Sequence, residues 1–139
     1  MISPTEAARE IYADATRVRS ELPRIVRVTV IHAAQLARGK IGTRQPDWDS
    51  LAPRTIRDKT KLGFGGPDYS PLERTGAMRE SILTEFAGLT GRVYSTDPKM
   101  VYSELGTSRE PPRPVLIPSL DEAAIGASGL LIELAETIR

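Results

Sequence analysis

The chain has 139 residues, enough for one domain with a modest core. Hydrophobic residues make up 40% and charged ones 27%, ordinary for a soluble globular protein, while aromatics at 5% predict a thin, aliphatic core. A net charge of +1, from 19 basic and 18 acidic side chains, argues against a dedicated nucleic-acid binder, and the lack of cysteine excludes disulfides and thiolate zinc sites.

Met1-Ile2-Ser3-Pro4 leads straight into a charged helical pattern, with no signal-peptide pattern and no apolar stretch able to span a membrane, so a soluble protein made in a cytoplasm is expected. Ser3 as N-cap, Pro4 at the first helical position and Glu6 closing a capping box start a helix. Ala8, Ile11, Tyr12, Ala15 and Val18 continue it at helical spacing. Pro23 either kinks it or opens the next helix, in which Leu22, Val26, Val30, Ala33 and Ala37 share a face up to Gly39. Lys40–Ser50 reads as an extended connection bearing the single tryptophan, Trp48. A short helix with Pro53 near its start carries Arg54, Arg57, Lys59 and Lys61, and the glycines of Leu62–Pro71 make a loop. Ala77–Ser81 is a helical turn at most.

Ile82–Phe86 and Arg92–Thr96 read as strands of a hairpin with Gly88 and Gly91 in the turn, and Ile82, Thr84 and Phe86 on one face. Val101, Tyr102 and Leu105 form one helical face ending at Gly106, a left-handed C-terminal residue. Pro111, Pro112, Pro114 and Pro118 then stiffen an extended arm from Glu110 to Pro118. Its apolar triplet Val115-Leu116-Ile117 is a docking device for its own domain or for a neighbour. A second capping box, Ser119 to Glu122, opens a final helix whose buried stripe is Leu120, Ala123, Ala127, Leu130, Leu134 and Ile138. Gly126 and Gly129 weaken that helix, which suggests close packing or a bend. The expected architecture is α+β: N-terminal helices and a C-terminal helix around a small antiparallel sheet, with long extended loops, in a single domain over residues 1–139.

Catalytic chemistry finds no convergent groups. His32 is the only histidine and sits mid-helix, and no clustered acidic pattern supports a metal, so no catalytic, cofactor or metal residues are assigned. Asp47 and Asp49 read as a solvated loop, and Asp121 and Glu122 as a response to the helix dipole. Gly63-Phe64-Gly65-Gly66 lacks the Lys-Ser/Thr ending of a phosphate loop. The basic run Arg54, Arg57, Lys59, Lys61 could face phosphate, although a solvated helix face explains it with less. Pro111-Pro112-Arg113-Pro114 fits a polyproline ligand, but a structural spacer suits its place between two elements better.

Trp48-x-x-Leu51-x-Pro53-x-Thr55 with Lys59 following, then Leu72-x-x-Thr75-Gly76-x-Met78-x-x-Ser81-Ile82, resembles the phage virion-morphogenesis, or tail-completion, proteins. Val101-Tyr102 through Leu105-Gly106-Thr107, then Pro112-Arg113-Pro114, looks like the ending of that family, with Val115 where a Phe is usual. The T-G and R-P portions are shared with HK97-type tail components. The resemblance spans Trp48 to Leu120 and rests on order and spacing. It implies a non-enzymatic virion protein of the phage neck or tail, forming a homo-oligomeric ring of six- or twelve-fold symmetry. That ring would join portal or connector proteins to the tail tube or terminator, with phage DNA passing through its lumen. A tail terminator or a head-completion (stopper) protein is the alternative within that class, and a small nucleic-acid-binding protein the alternative outside it.

On this reading Arg113, Pro114, Val115 and Leu116 anchor the arm, and Trp48, Leu51, Phe64, Tyr69 and Tyr102 reach neighbours. Arg54, Arg57, Lys59 and Lys61 are the candidate DNA-facing residues. Trp48 is equally readable as a local core anchor. A self-contained globule, with the proline-rich arm tucked in and a polar cleft of converging side chains, would make the ring reading wrong.

Overall fold

A computed structural model describes residues 1–63 and 70–138. The fold is α+β, as expected: a long N-terminal helix, a C-terminal helix and a two-stranded antiparallel sheet. Helix α1 (Pro4–Lys40) opens with the predicted capping box, Ser3 Oγ accepting from the N–H of Glu6 and the Glu6 carboxylate from that of Ser3. It runs unbroken through Pro23, so the two N-terminal helices expected from the sequence are one. The β-branched run Val26–Val30 stays helical because Ile25, Val30, Ala33, Ala34 and Ala37 bury one face. Arg79 meets the last turn, donating to the carbonyls of Arg38 and Ile41, where a cation also suits the helix dipole.

Helix α2 (Pro53–Lys61) and the single turn α3 (Ala77–Glu80) precede a hairpin of β1 (Ile82–Ala87) and β2 (Thr90–Ser95). Its register pairs Ile82 with Ser95 and Ala87 with Thr90, which leaves Gly88 and Leu89 as the turn. Gly91 therefore lies in β2, paired with Phe86, and not in the turn as expected. A Cβ there would come within 2.7 Å of Val30, so the glycine lets the hairpin lie on α1. Ile82, Thr84 and Phe86 do face inward. Helix α4 (Lys99–Leu105) and helix α5 (Leu116–Thr137) complete the chain.

Ala34, Ala37, Ile41, Trp48, Ile82, Met100 and Val115 form the core, with Leu72, Met78, Val93 and Leu116 packed against it. This cluster lies at one end of a longer body. Lys40 pairs with Glu122 at 2.7 Å and Arg17 donates to the carbonyl of Thr137 at 2.6 Å, so α1 and α5 run antiparallel away from it. Beyond Arg17 the residues from Pro4 to Thr16 continue alone for about 20 Å, at 1.5 Å per residue. Ile11 and Tyr12 are exposed there.

The start of α5 departs furthest from expectation. The arm is extended only to Val115, and Leu116, Ile117 and Pro118 are already helical. Pro118 is tolerated because the first turn needs no intrahelical donor. Ser119, the expected N-cap, lies wholly buried one turn inside, with Oγ donating to the Val115 carbonyl at 2.6 Å. Glu122 goes to Lys40 and closes no capping box. Leu120, expected in the core, is 43% exposed, and Ser119 takes that place. Among the described residues, no helix is long and apolar enough to cross a membrane.

Candidate functional site

The proline-rich arm is tucked in. Val115 has no exposed surface, Trp48 is 4% exposed, and Leu116 packs on the same core. Trp48 and Val115, expected at a subunit contact, are thus buried inside the domain instead, while Leu116 is half-buried. Leu51 and Pro114 are half-buried, while Tyr102 is exposed. With Val101 and Leu105 it forms an outward apolar face on α4, while Met100 supplies that helix's buried side chain. Phe64 and Tyr69 lie outside the described residues, as does most of the loop read from Leu62 to Pro71.

Along α2, Arg54, Arg57 and Lys61 recur at i, i+3 and i+7, share one face and are exposed. Lys59 falls on the other side and turns inward, its Nζ donating to the carbonyls of Ser70 and Glu73 at 2.6 and 2.8 Å. Burial pulls its pKa below the ordinary value. The basic run thus divides into three surface cations and one structural tie, and Lys59, expected to face DNA, turns inward instead.

Between α2, the Leu72–Met78 segment and the arm lies an open cleft of about 800 Å³. Leu51, Leu72, Met78 and Pro111 supply its apolar lining. Six basic and four acidic side chains line it too, and Glu73 among the acids is already paired with Arg79 at 3.0 Å. Arg113 sits at its inner wall with 9% of its surface exposed. Its Nη2 makes long hydrogen bonds to the carbonyls of Asp49 and Ser50 at 3.3 and 3.4 Å, and its Nε is buried without a partner. Among the described residues no carboxylate lies within 4.0 Å of it. Buried charges are ordinarily paired, so this guanidinium is unusual. Arg113 is expected as an anchor of the arm, but nothing in the sequence signals its burial.

Helix α5 buries only one side. Ile117, Leu120, Ile125, Leu131 and Ile132 are all exposed, Ile125 by 73% and Ile132 by 60%. Gly126 and Gly129 stand among them, and a Cβ on either would meet nothing within 4 Å. The close packing suggested for these glycines is therefore not found among the described residues. The acidic side chains Asp121, Glu133 and Glu136 are exposed on the same helix.

Among the described residues, no group of three or more His, Cys, Asp or Glu is placed to hold a metal ion, and His32 is exposed on α1. No family model, curated protein or solved structure matches the chain.

Proposed function

We propose that the chain is a structural, non-catalytic subunit of a homo-oligomeric ring at the phage head–tail junction, joining the portal or connector to the tail. One observation carries the oligomeric part: α5 is apolar on its outward side as well as its inward side, a pattern that belongs to helices covered all round. The phage assignment rests on the order of motifs from Trp48 to Leu120. The tucked-in arm and the polar cleft are observations that tell against the ring and remove the arm as its docking device; the ring reading rests instead on α5 as the subunit contact. The free tip of α1, with Ile11 and Tyr12, and the apolar face of α4 remain for the adjoining rings.

The exposed Arg54, Arg57 and Lys61 favour a second reading, a small nucleic-acid-binding protein. In the ring these cations would line the DNA passage and contact phosphate without sequence preference. Reversing the three charges separates the two. Failure to join heads to tails supports the ring, and loss of DNA from an otherwise assembled particle supports the second reading. The direct test is electron microscopy of particles made without the protein. Separate, complete heads and tails are expected, and joined particles would overturn the proposal.

A further inference from the structure

Two unsatisfied surfaces of opposite character lie on different parts of this chain. Arg113 is a buried cation with no carboxylate partner among the described residues, in a cleft with more basic than acidic side chains and an apolar rim. Helix α5 carries Asp121, Glu122, Glu133 and Glu136 and no basic residue over Leu116–Thr137, and among the described residues only Glu122 is in an ion pair. Ile125, Gly129, Ile132 and Glu136 follow at i, i+4, i+7 and i+11, so bare backbone, aliphatic side chains and a carboxylate share one face.

The free tip of α1 is the competing occupant for the outer side of α5. Over Pro4–Thr16 it carries Glu6, Glu10 and Asp14 against Arg9 alone, so it offers an acidic helix no electrostatic attraction. The cleft does, because its cationic surplus complements the acidic helix and its apolar rim can cover Ile125 and Ile132. The DNA backbone would meet the cations but leave that apolar rim uncovered.

We propose that the Arg113 cleft binds the acidic, aliphatic face of α5 from a second copy of this chain, whose carboxylates supply the counter-charge the guanidinium lacks. The two surfaces differ, one at the core end and one along the helix that runs away from it, so the contact is head-to-tail. Repetition of such a contact closes a ring or extends a filament. The inference rests on the oligomeric reading and adds the surfaces through which it would work.

The test uses two variants altered at exposed positions, Arg54→Glu/Arg109→Glu in the cleft and Glu133→Lys/Glu136→Lys on α5, each first shown to unfold cooperatively and to keep the far-UV circular dichroism of the wild type. By sedimentation velocity, each alone should self-associate about ten-fold or more weakly than wild type. An equimolar mixture should recover, since the lysine-bearing helix fits the glutamate-bearing cleft and the two unaltered surfaces fit each other. Wild-type behaviour of either variant, a monomeric wild type, or a mixture that stays apart overturns the proposal. So does loss of duplex DNA binding by the cleft variant with self-association intact, which would mark a phosphate site. A ring that persists in the variants removes this contact and spares the ring, whereas heads and tails joining without the protein removes the ring itself.

Discussion

The side chain of Glu104, near the end of α4, accepts the backbone N–H of Val115 at 2.5 Å, and the same oxygen accepts that of Leu116 at 2.5 Å. A carboxylate from another helix thus satisfies donors that the first turn of α5 cannot satisfy itself, and its charge faces the positive end of the helix dipole. It also ties the outgoing arm to α4, so one side chain fixes where α5 begins. Replacing it by alanine should lower stability by about 1–2 kcal/mol, the range for a lost N-cap with its charge. Glutamine, which keeps an acceptor without the charge, should lose less. Urea unfolding of the two variants checks this order, and equal midpoints for alanine and wild type would mean that α5 is capped in some other way.

That contact also explains why this part of the sequence misled. Ser3 and Glu6 were legible as a capping box because both partners lie within one turn. Ser119 and Glu122 have the same spacing, but Glu104 had already started the helix before them. The shift moved Ser119 into the core and Leu120 to the surface. The motif from Trp48 to Val115 was legible as a pattern of residues but not as a place. Trp48, Leu72, Met78, Ile82 and Val115 prove to be one cluster, so the pattern records packing as much as contact. The burial of Arg113 depends on carbonyls more than sixty positions away in the chain, beyond the reach of local spacing.

Gly106 should resist substitution. Its φ of +73° lies where side chains are disfavoured, and a Cβ would stand 2.9 Å from both the backbone nitrogen and the Cδ of Pro112. A proline ring fixed in the chain cannot move aside as a flexible side chain could. Gly106→Ala should therefore lose more than about 1 kcal/mol, with the arm displaced from Ser103, whose carbonyl the Arg113 N–H now meets at 2.6 Å. Thermal unfolding together with amide exchange at Arg113 checks both parts. Unchanged protection there would show that the arm holds without the turn.

Lys59 gives a pH signature. Burial lowers its pKa from the ordinary 10.5, with the Glu73 carboxylate acting the other way. Between the folded and unfolded values the unfolded chain binds more protons, so this group's contribution to stability rises with pH through that window. Below the folded pKa the penalty for burying the cation is fully present, and it is relieved as the pH approaches 10.5. The difference in stability between wild type and Lys59→Met should accordingly shift in favour of wild type on the alkaline side. Paired urea titrations at neutral and alkaline pH measure it, and parallel curves would refute the assignment.

Gly126 and Gly129 set stability against assembly. Both are helical, and each has open space where a side chain would stand, so the folded monomer gains no packing from their bareness. Alanine at either position should stabilise the helix by up to about 1 kcal/mol, since glycine is the poorer helix former by that margin. The gain should be read in the Glu133→Lys/Glu136→Lys background, where association adds nothing to the apparent stability. In the otherwise native chain the same alanines should weaken self-association, because the added methyl groups lift a partner off the backbone between Ile125 and Ile132. Unfolding midpoints in the first background and sedimentation in the second give the two readings independently. A more stable monomer that associates as well as wild type would leave the glycines without a role at this surface, and the docking face on α5 would then have to lie along Ile117, Leu120 and Leu131.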